Sequence, residues 1–475
     1  MTRPSPQRPA SLFLIVIVSL GLAYLLGQPY LPLAPEPERV PQPGQAEAFL
    51  RPHIIYLYTD DMRWDLLCLN DIFNDPTLPG IPGICGDGDL TNDPLYQIES
   101  RLLGDATAFS NAFSSYPLCC PSRVSFLKKG LYAHHTGGAT PQFNVMGNQA
   151  PIGGALPLAQ IDGDTIATHL KALGPVPYKT GLVGGKYANE YDKLVDEDHI
   201  PPNMTDIPPG WDTFSVAYRT LGQRTNYVNT FDVVEYNLLD SDPEELKVYR
   251  VGITDPDDEP DLLVWERQQA VGFINDVCPT SNPADCIAPF FLFYNTWAPH
   301  EPAWTPDEYA TEYDDYFYSD YDVRGYGEQE PDEDGVLDKP RHVRNEAGRF
   351  NASDNDEDIQ AQLRHLKWFD DQVAVLLDTL EARQLLDRTI IIFGSDNGFL
   401  WGEHGLDEKP KPYEEALRVP LFVRNLRPPN AWPHEVVAEL VVADLDVPQT
   451  ILHFATGSDP NTMPDDGDSL RHLVE

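Results

Sequence analysis

Three groups of residues in this chain have types and spacings that could do chemistry. Asp60-Asp61 and Asp396-Asn397 offer hard oxygen donors from two segments far apart in sequence. Oxygen-only ligation suits Ca2+, and after it Mg2+, over zinc, which takes His or Cys. Arg123, Lys186, His300 and Lys409 are cations able to receive an anion. Lys and Arg can stabilise charge on its oxygens, and His or Lys can protonate a leaving oxygen. The third group is Cys119-Cys120-Pro121-Ser122-Arg123, which reads as part of a small polar loop after Phe113-Ser114-Ser115-Tyr116-Pro117. Taken singly, each group has an ordinary reading. Asp-Asn-Gly is a common turn, and a lone Lys or His is mostly surface or satisfied core. A shared location would change those readings.

The surrounding elements supply one. Residues 53–58 (HIIYLY) form a short apolar run ending in Thr59-Asp60-Asp61, the pattern of a buried parallel strand. Residues 178–183 predict a second strand ending at Gly184-Gly185-Lys186, and residues 290–295 (FFLFYN) a third that delivers Thr296-Trp297-Ala298-Pro299-His300. A helix is expected over 164–173, stopped by Gly174-Pro175. The clearest helix spans about 356–386, where Ile359, Leu363, Leu366, Phe369, Val373, Leu377 and Leu380 share one face. Residues 389–393 (TIIIF) then predict a strand ending in Ser395-Asp396-Asn397-Gly398. Strands alternating with helices imply an α/β fold, a mostly parallel central sheet with helices on both faces. Sites in such sheets gather at the carboxyl ends of strands, where every one of these polar clusters falls. The acidic, Tyr-rich stretch 307–338 lacks EF-hand spacing and reads as a solvated insertion, as does 254–261.

A net charge of −42 excludes nucleic acid as a partner, because phosphates would be repelled. It also disfavours long polyanions unless basic residues are focused in one pocket. Residues 1–27, with Arg3 and Arg8 before an apolar run at 12–26, read as an export signal or an N-terminal anchor that could tether the chain to a membrane. A Pro-rich linker follows over 28–51, and 52–475 form the catalytic domain. Export places the protein outside the cytoplasm and permits disulfides. Cys68 with Cys85, and Cys278 with Cys286, each bracket a short loop and are plausible bridges, although sequence does not fix pairing. Cys119 and Cys120 are left for other work.

Cys119-x-Pro121-x-Arg123 resembles the activation signature of the type I sulfatases. The resemblance runs from about Pro52 to Leu473 through motifs in matching order. They are Asp60-Asp61, Gly184-Gly185-Lys186-Tyr187, Pro299-His300-x-Pro302, Ser395-Asp396-Asn397-Gly398, Gly402-Glu403-His404-Gly405-Leu406 with Lys409, and Tyr413-Glu414 with Arg418-Val419-Pro420. Gly185-Lys186-Tyr187-x-Asn189-Glu190-Tyr191 and Pro208-Pro209-Gly210-Trp211 look most like the N-acetylglucosamine-6-sulfatase branch. The resemblance implies an alkaline-phosphatase-like fold and hydrolysis of a sulfate ester, such as a 6-sulfated amino sugar or an aryl sulfate. It implies that a formylglycine-generating enzyme converts Cys119 to formylglycine, whose hydrated aldehyde is the nucleophile. Asp60, Asp61, Asp396, Asn397 and the converted Cys119 would hold Ca2+. Arg123 and Lys186 would steady the hydrate, and His300 and Lys409 would bind sulfate and protonate the leaving alcohol.

Three departures from the family pattern stand out. Many members carry His two residues after the signature Lys, as base for the last step, where this chain has Ala188 followed by Asn189. His135, and after it His134, is the expected replacement. Leu127-Lys128-Lys129-Gly130 is one residue longer than the usual Leu-x-Gly. Asp466-Gly467-Asp468-Ser469-Leu470 resembles a motif that normally precedes a C-terminal subdomain, which is expected to be truncated or built from elsewhere. Two alternatives remain: a phosphonate or phosphodiester hydrolase on the same fold, and an inactive acidic surface protein.

Overall fold

In a computed structural model the apolar segments assemble into one large sheet. The structure describes residues 51–85, 93–132, 163–187, 208–218, 230–239, 247–252, 261–301, 303, 305–321, 341, 352–409, 411–426, 435–458 and 466–475. The N-terminal segment and linker, His134, His135, Ala188 and Asn189 lie outside them. In chain order the strands are β1 (His53–Asp60), β2 (Ala106–Phe109), β3 (Ala112–Phe113), β4 (Lys179–Gly184), β5 (Thr213–Tyr218), β6 (Thr230–Asn237), β7 (Lys247–Gly252), β8 (Phe290–Pro299), β9 (Thr389–Ser395), β10 (Leu400–Trp401), β11 (Asp407–Glu408), β12 (Leu421–Arg424), β13 (Glu435–Val437) and β14 (Val441–Val442). The principal helices are α1 (Tyr96–Leu102), α2 (Cys119–Leu127), α3 (Ile166–Lys171), α4 (Leu262–Val277), α5 (Ala352–Ala382) and α6 (Ala443–Thr456).

The large sheet runs β13-β2-β12-β9-β1-β8-β4-β5-β6-β7. Its centre, β9-β1-β8-β4-β5, is all parallel. On the flanks β12 pairs antiparallel with β9 and β2, and β6 pairs antiparallel with β5 and β7. The parallel expectation therefore holds where the site residues are, and the edges mix. Every residue of β1, β8 and β9 is buried, which is why these strands read as continuous apolar runs rather than alternating ones.

Alternate β1 side chains feed two cores. Ile55 and Leu57 join Phe273 of α4 and Leu363, Leu366 and Phe369 of α5 on one face. Ile54, Tyr56 and Tyr58 join Val124 of α2, Leu170 of α3 and Ile451 of α6 on the other. Each fully buried aliphatic or Phe side chain contributes about 1.5–3 kcal/mol. The apolar stripe on α5 is buried as its spacing predicts, although the helix begins at Ala352, ahead of the expected 356. Bridges join Cys68 to Cys85 and Cys278 to Cys286.

Two expectations need correcting. The stretch beginning at 307 is not simply a solvated insertion. Tyr309, Tyr316 and Tyr318 are buried, and their hydroxyls donate to Asp371 Oδ2, the Pro82 carbonyl and Glu403 Oε1. Its acidic residues masked an aromatic face that packs on α5. The Cys119 string, in turn, is a helix start rather than a loop. Leu118 is extended (φ −160°) and Cys119 opens α2. Pro121 sits in the first turn, where a missing N–H costs nothing. The extra residue after Leu127 is absorbed by left-handed Lys129 and Gly130 (φ 65° and 81°), which end the helix.

Candidate active site

Because β1, β4, β8 and β9 are parallel neighbours, their carboxyl ends share one edge of the sheet. Asp60 stands in register with Pro299, Thr59 with Ser395, and Gly184 with Asn295. Gly184 adopts φ 129°, and a Cβ there would lie 1.8 Å from the Asn295 carbonyl oxygen. Only glycine lets the chain leave β4 so close to β8 and turn Lys186 toward the site. Asp61 takes a left-handed φ of 72°, which a short Asp side chain tolerates. Its N–H donates to Asp396 Oδ1 (3.1 Å), and the Met62 N–H donates to Ser395 Oγ (3.0 Å). These bonds clip the end of β1 to the end of β9.

The helical start of α2 explains the C-x-P-x-R spacing. Cys119 and Arg123 are four residues apart, so they lie on one helix face and enter the site together. Arg123 is fully buried. Its Nε donates to Asp396 Oδ2 (2.7 Å) and one terminal nitrogen to Asp60 Oδ2 (2.9 Å), while its guanidinium lies 5.2 Å from the centre of the Tyr58 ring. Lys186 Nζ reaches Asp60 Oδ2 at 2.7 Å. Lys409 Nζ contacts Asp61 Oδ1, lies 3.8 Å from Asp60 Oδ1 and donates to Cys119 Sγ at 2.8 Å. His300 Nε2 stands 3.6 Å from Asp61 Oδ2. Its Nδ1 faces the Glu301 carbonyl, which can only accept, so Nδ1 carries the proton and Nε2 is bare.

Ligand atoms of Asp60, Asp61 and Asp396 all lie within 4.8 Å of one another, as do those of Asp60, Cys119 and His300. Burial would raise the Asp60 carboxyl, but Lys186, His300, Arg123 and Lys409 hold it well below its ordinary value. Asp396 is pushed up to about 6 by burial and then by Asp60, against the pull of Arg123. Burial, and then Lys186, lower the His300 imidazole to about 4, so it is uncharged near neutrality. Burial lowers the Lys409 ammonium, but Asp61, Cys119 and Asp60 outweigh it and keep it charged. Burial pushes the Cys119 thiol up to about 12, and a thiol so protonated is a poor nucleophile as it stands.

The residues fit a hard cation. Asp60 Oδ1 and Asn397 Oδ1 are buried with no hydrogen-bond partner among the described residues. Asn397 Nδ2 donates to Asp61 Oδ1 (2.7 Å), which ties the second donor pair to the first. Three carboxylates and an amide oxygen form an oxygen-only set, suited to Ca2+ or Mg2+.

All the expected site residues that lie among the described ones meet here. His135 and His134 lie outside those residues. Three contributors were given no role from the sequence. Asn295 accepts from Arg123 and bonds the Lys186 carbonyl, and it was legible only as the polar end of FFLFYN. Trp297 carries Lys186 Nζ 4.4 Å from its ring centre and meets the His300 ring edge-on at 5.2 Å. Glu266, on α4, accepts the Trp297 N–H, and nothing in its local sequence marks it.

Known proteins resemble this chain. Residues 267–458 match the Sulfatase family. An extracellular sulfatase SULF-1 homolog of Drosophila melanogaster is 26% identical over 429 residues, 89% of this chain and 31% of the relative. The human N-acetylglucosamine-6-sulfatase is 24% identical over 446 residues, 91% of this chain and 66% of the relative. The chain thus spans less than two thirds of either relative's length. A solved protein in complex with its substrate D-glucosamine-2-N,6-O-disulfate superposes with a TM-score of 0.56 at 20% identity, covering 90% of this chain and 80% of that one. At that identity the likeness speaks for the fold alone. The family match over residues 267–458, these relatives and the ordered motifs around one buried cluster make the chain similar to the sulfatases, whose alkaline-phosphatase-like fold it shares.

Proposed function

We propose that this site hydrolyses sulfate monoesters, with residue 119 matured to formylglycine and Ca2+ held by Asp60, Asp61, Asp396 and Asn397. The observation that carries the reading is the meeting of Cys119, Lys409, His300 and Arg123 around one group of buried carboxylates. When present, formylglycine supplies a hydrated aldehyde as nucleophile, and Ca2+ offsets charge on the sulfate oxygens.

The chain's own residues do the rest. Arg123 fixes the directions of Asp60 and Asp396 and, with Lys186, steadies residue 119. Lys186 and Lys409 offer ammonium groups to non-bridging oxygens. Lys409, held charged, is the proton source for the leaving alcohol, and His300 Nε2 is the neutral partner that orients it. His135, ahead of His134, takes the final proton. The names of the relatives support a sulfated amino sugar as substrate, and the charge of −42 favours small or singly sulfated ones. A formylglycine-generating enzyme must act first. The two disulfides and the extracellular relative support a location outside the cytoplasm, reached through the signal or anchor at 1–27.

Mass spectrometry of the Cys119 peptide tests the reading. Loss of the thiol in favour of an aldehyde is expected at Cys119 and not at Cys120. Cys119→Ser should release alcohol once per site and then stop. Full multiple turnover by that variant would sink the proposal.

A further inference from the structure

We propose that Glu266 is a positioning residue, which holds Lys186 and His300 in place through Thr296 and Trp297. The proposal rests on the hydrolase reading above and deepens it.

Glu266 projects from α4 into the core and is fully buried beside Leu263, Ala270 and Phe273. An apolar residue would pack there at no polar cost. A carboxyl with no paired cation is expensive at such a place. Oε1 accepts the Trp297 N–H at 3.3 Å, the Thr296 side chain bonds the carboxyl, and Oε2 is buried without a well-placed partner among the described residues.

Trp297 is the wedge between Lys186 and His300. A Cβ on Gly185 would lie 2.9 Å from the Trp297 backbone nitrogen, so the indole's main chain presses directly on the residue before Lys186. Lys186 Nζ lies over the indole face and His300 against its edge. Any shift of the Trp297 main chain therefore moves both side chains.

Burial pushes the Glu266 carboxyl up to about 8, although Thr296 and Trp297 pull it down. The groups around it do little to relieve a charge. From β8 the buried Tyr294 hydroxyl feels its negative charge. From β5 Ser215 turns to Gln269, neighbouring Arg267 reaches Gln372 of α5, and Lys186 beyond β4 is committed to Asp60 across the indole. When the proton leaves for solvent, the bare carboxylate must recruit water, and the Trp297 segment gives way to admit it.

The test uses the full Ca2+-loaded chain and p-nitrophenyl sulfate across pH. Wild-type kcat should fall with a midpoint near pH 8. Glu266→Gln keeps the acceptor without the titration, so it should abolish that fall. Glu266→Leu should lose about 10²-fold in kcat at every pH, with KM little changed, and Gln should rescue what Leu loses. An unaltered alkaline fall in Glu266→Gln, or wild-type kcat in Glu266→Leu, overturns the proposal. Infrared difference spectra of wild type minus Glu266→Gln give a readout free of turnover. A protonated carboxyl band titrating near pH 8 supports the proposal even if no sulfate ester is cleaved. A band titrating near the ordinary Glu value overturns it even in an active sulfatase.

Discussion

Two groups of buried carboxylates occupy different parts of this fold, and burial alone does not tell them apart. Asp60, Asp61 and Asp396 stand at the strand ends, and Asp93, Glu99 and Asp370 lie where α1 meets α5; each is at most 2% exposed. The first group is laced with cations: Arg123, Lys186 and Lys409 all make ion pairs with it. The second is served by main-chain N–H groups and by itself. Asp370 accepts the Gln97 and Ile98 N–H groups at 2.7 and 2.8 Å, capping the first turn of α1. Asp93 accepts the Leu95 N–H, Glu99 accepts the Cys68 N–H, and the two side chains bond each other. Burial raises the carboxyls of Asp93, Glu99 and Asp370, whereas cations drive Asp60 down. In the first group, surrounding cations favour the charged form of Asp60. In the second, burial favours the protonated form, and its hydrogen bonds serve the fold.

Removing a cation from the first group should have the largest effect. Arg123→Met leaves Asp60 and Asp396 buried without their shared partner, a loss of about 3–5 kcal/mol. A urea midpoint measured without metal reads it. A loss below about 1 kcal/mol would mean that these carboxylates are as self-sufficient as Asp93 and Glu99.

Metal removal should separate the groups next. With Ca2+ at 100 times its Kd, binding to the native state alone stabilises by about 2.7 kcal/mol. Chelation should lower the thermal midpoint accordingly. Asp396→Ala should remove that response, and Glu99→Gln should leave it intact. An equal Ca2+ response in wild type and Asp396→Ala would place the ion elsewhere.

Much of the first group was legible in the sequence, and the second was not. Asp60-Asp61 and Asp396-Asn397 follow uninterrupted apolar runs, so strand and carboxylate are read together, and a parallel sheet does the gathering. Lys186, His300 and Lys409 were carried by motif context. Asp93, Glu99 and Glu266 carry no such signal, because each is defined by what packs on it from distant elements. The α2 start was misread because Pro and Ser suggest a loop, yet both are at home in a first helical turn. The tyrosines after 307 were misread because their acidic neighbours dominated the composition.

The smallest effect expected is on pH dependence, and it tests the second group alone. Glu99 has a native-state value raised well above the ordinary 4.5, by burial first and then by Asp93. Stability from its proton is fully present below pH 4.5. Above that the unfolded chain loses the proton first, and stability declines until the pH passes the native-state value. The decline cannot exceed about 1.36 kcal/mol per pH unit for one group. Gln at 99 keeps an oxygen for the Cys68 N–H and can donate to Asp93, yet it has no proton to lose. Glu99→Gln should therefore match wild type at acid pH and flatten the stability curve above pH 4.5. Saturating Ca2+ keeps Asp396, which is also raised, from adding its own slope. Parallel curves for the two proteins would mean that Asp93 and Glu99 do not share a proton, and that the contrast between the two buried groups is one of position only.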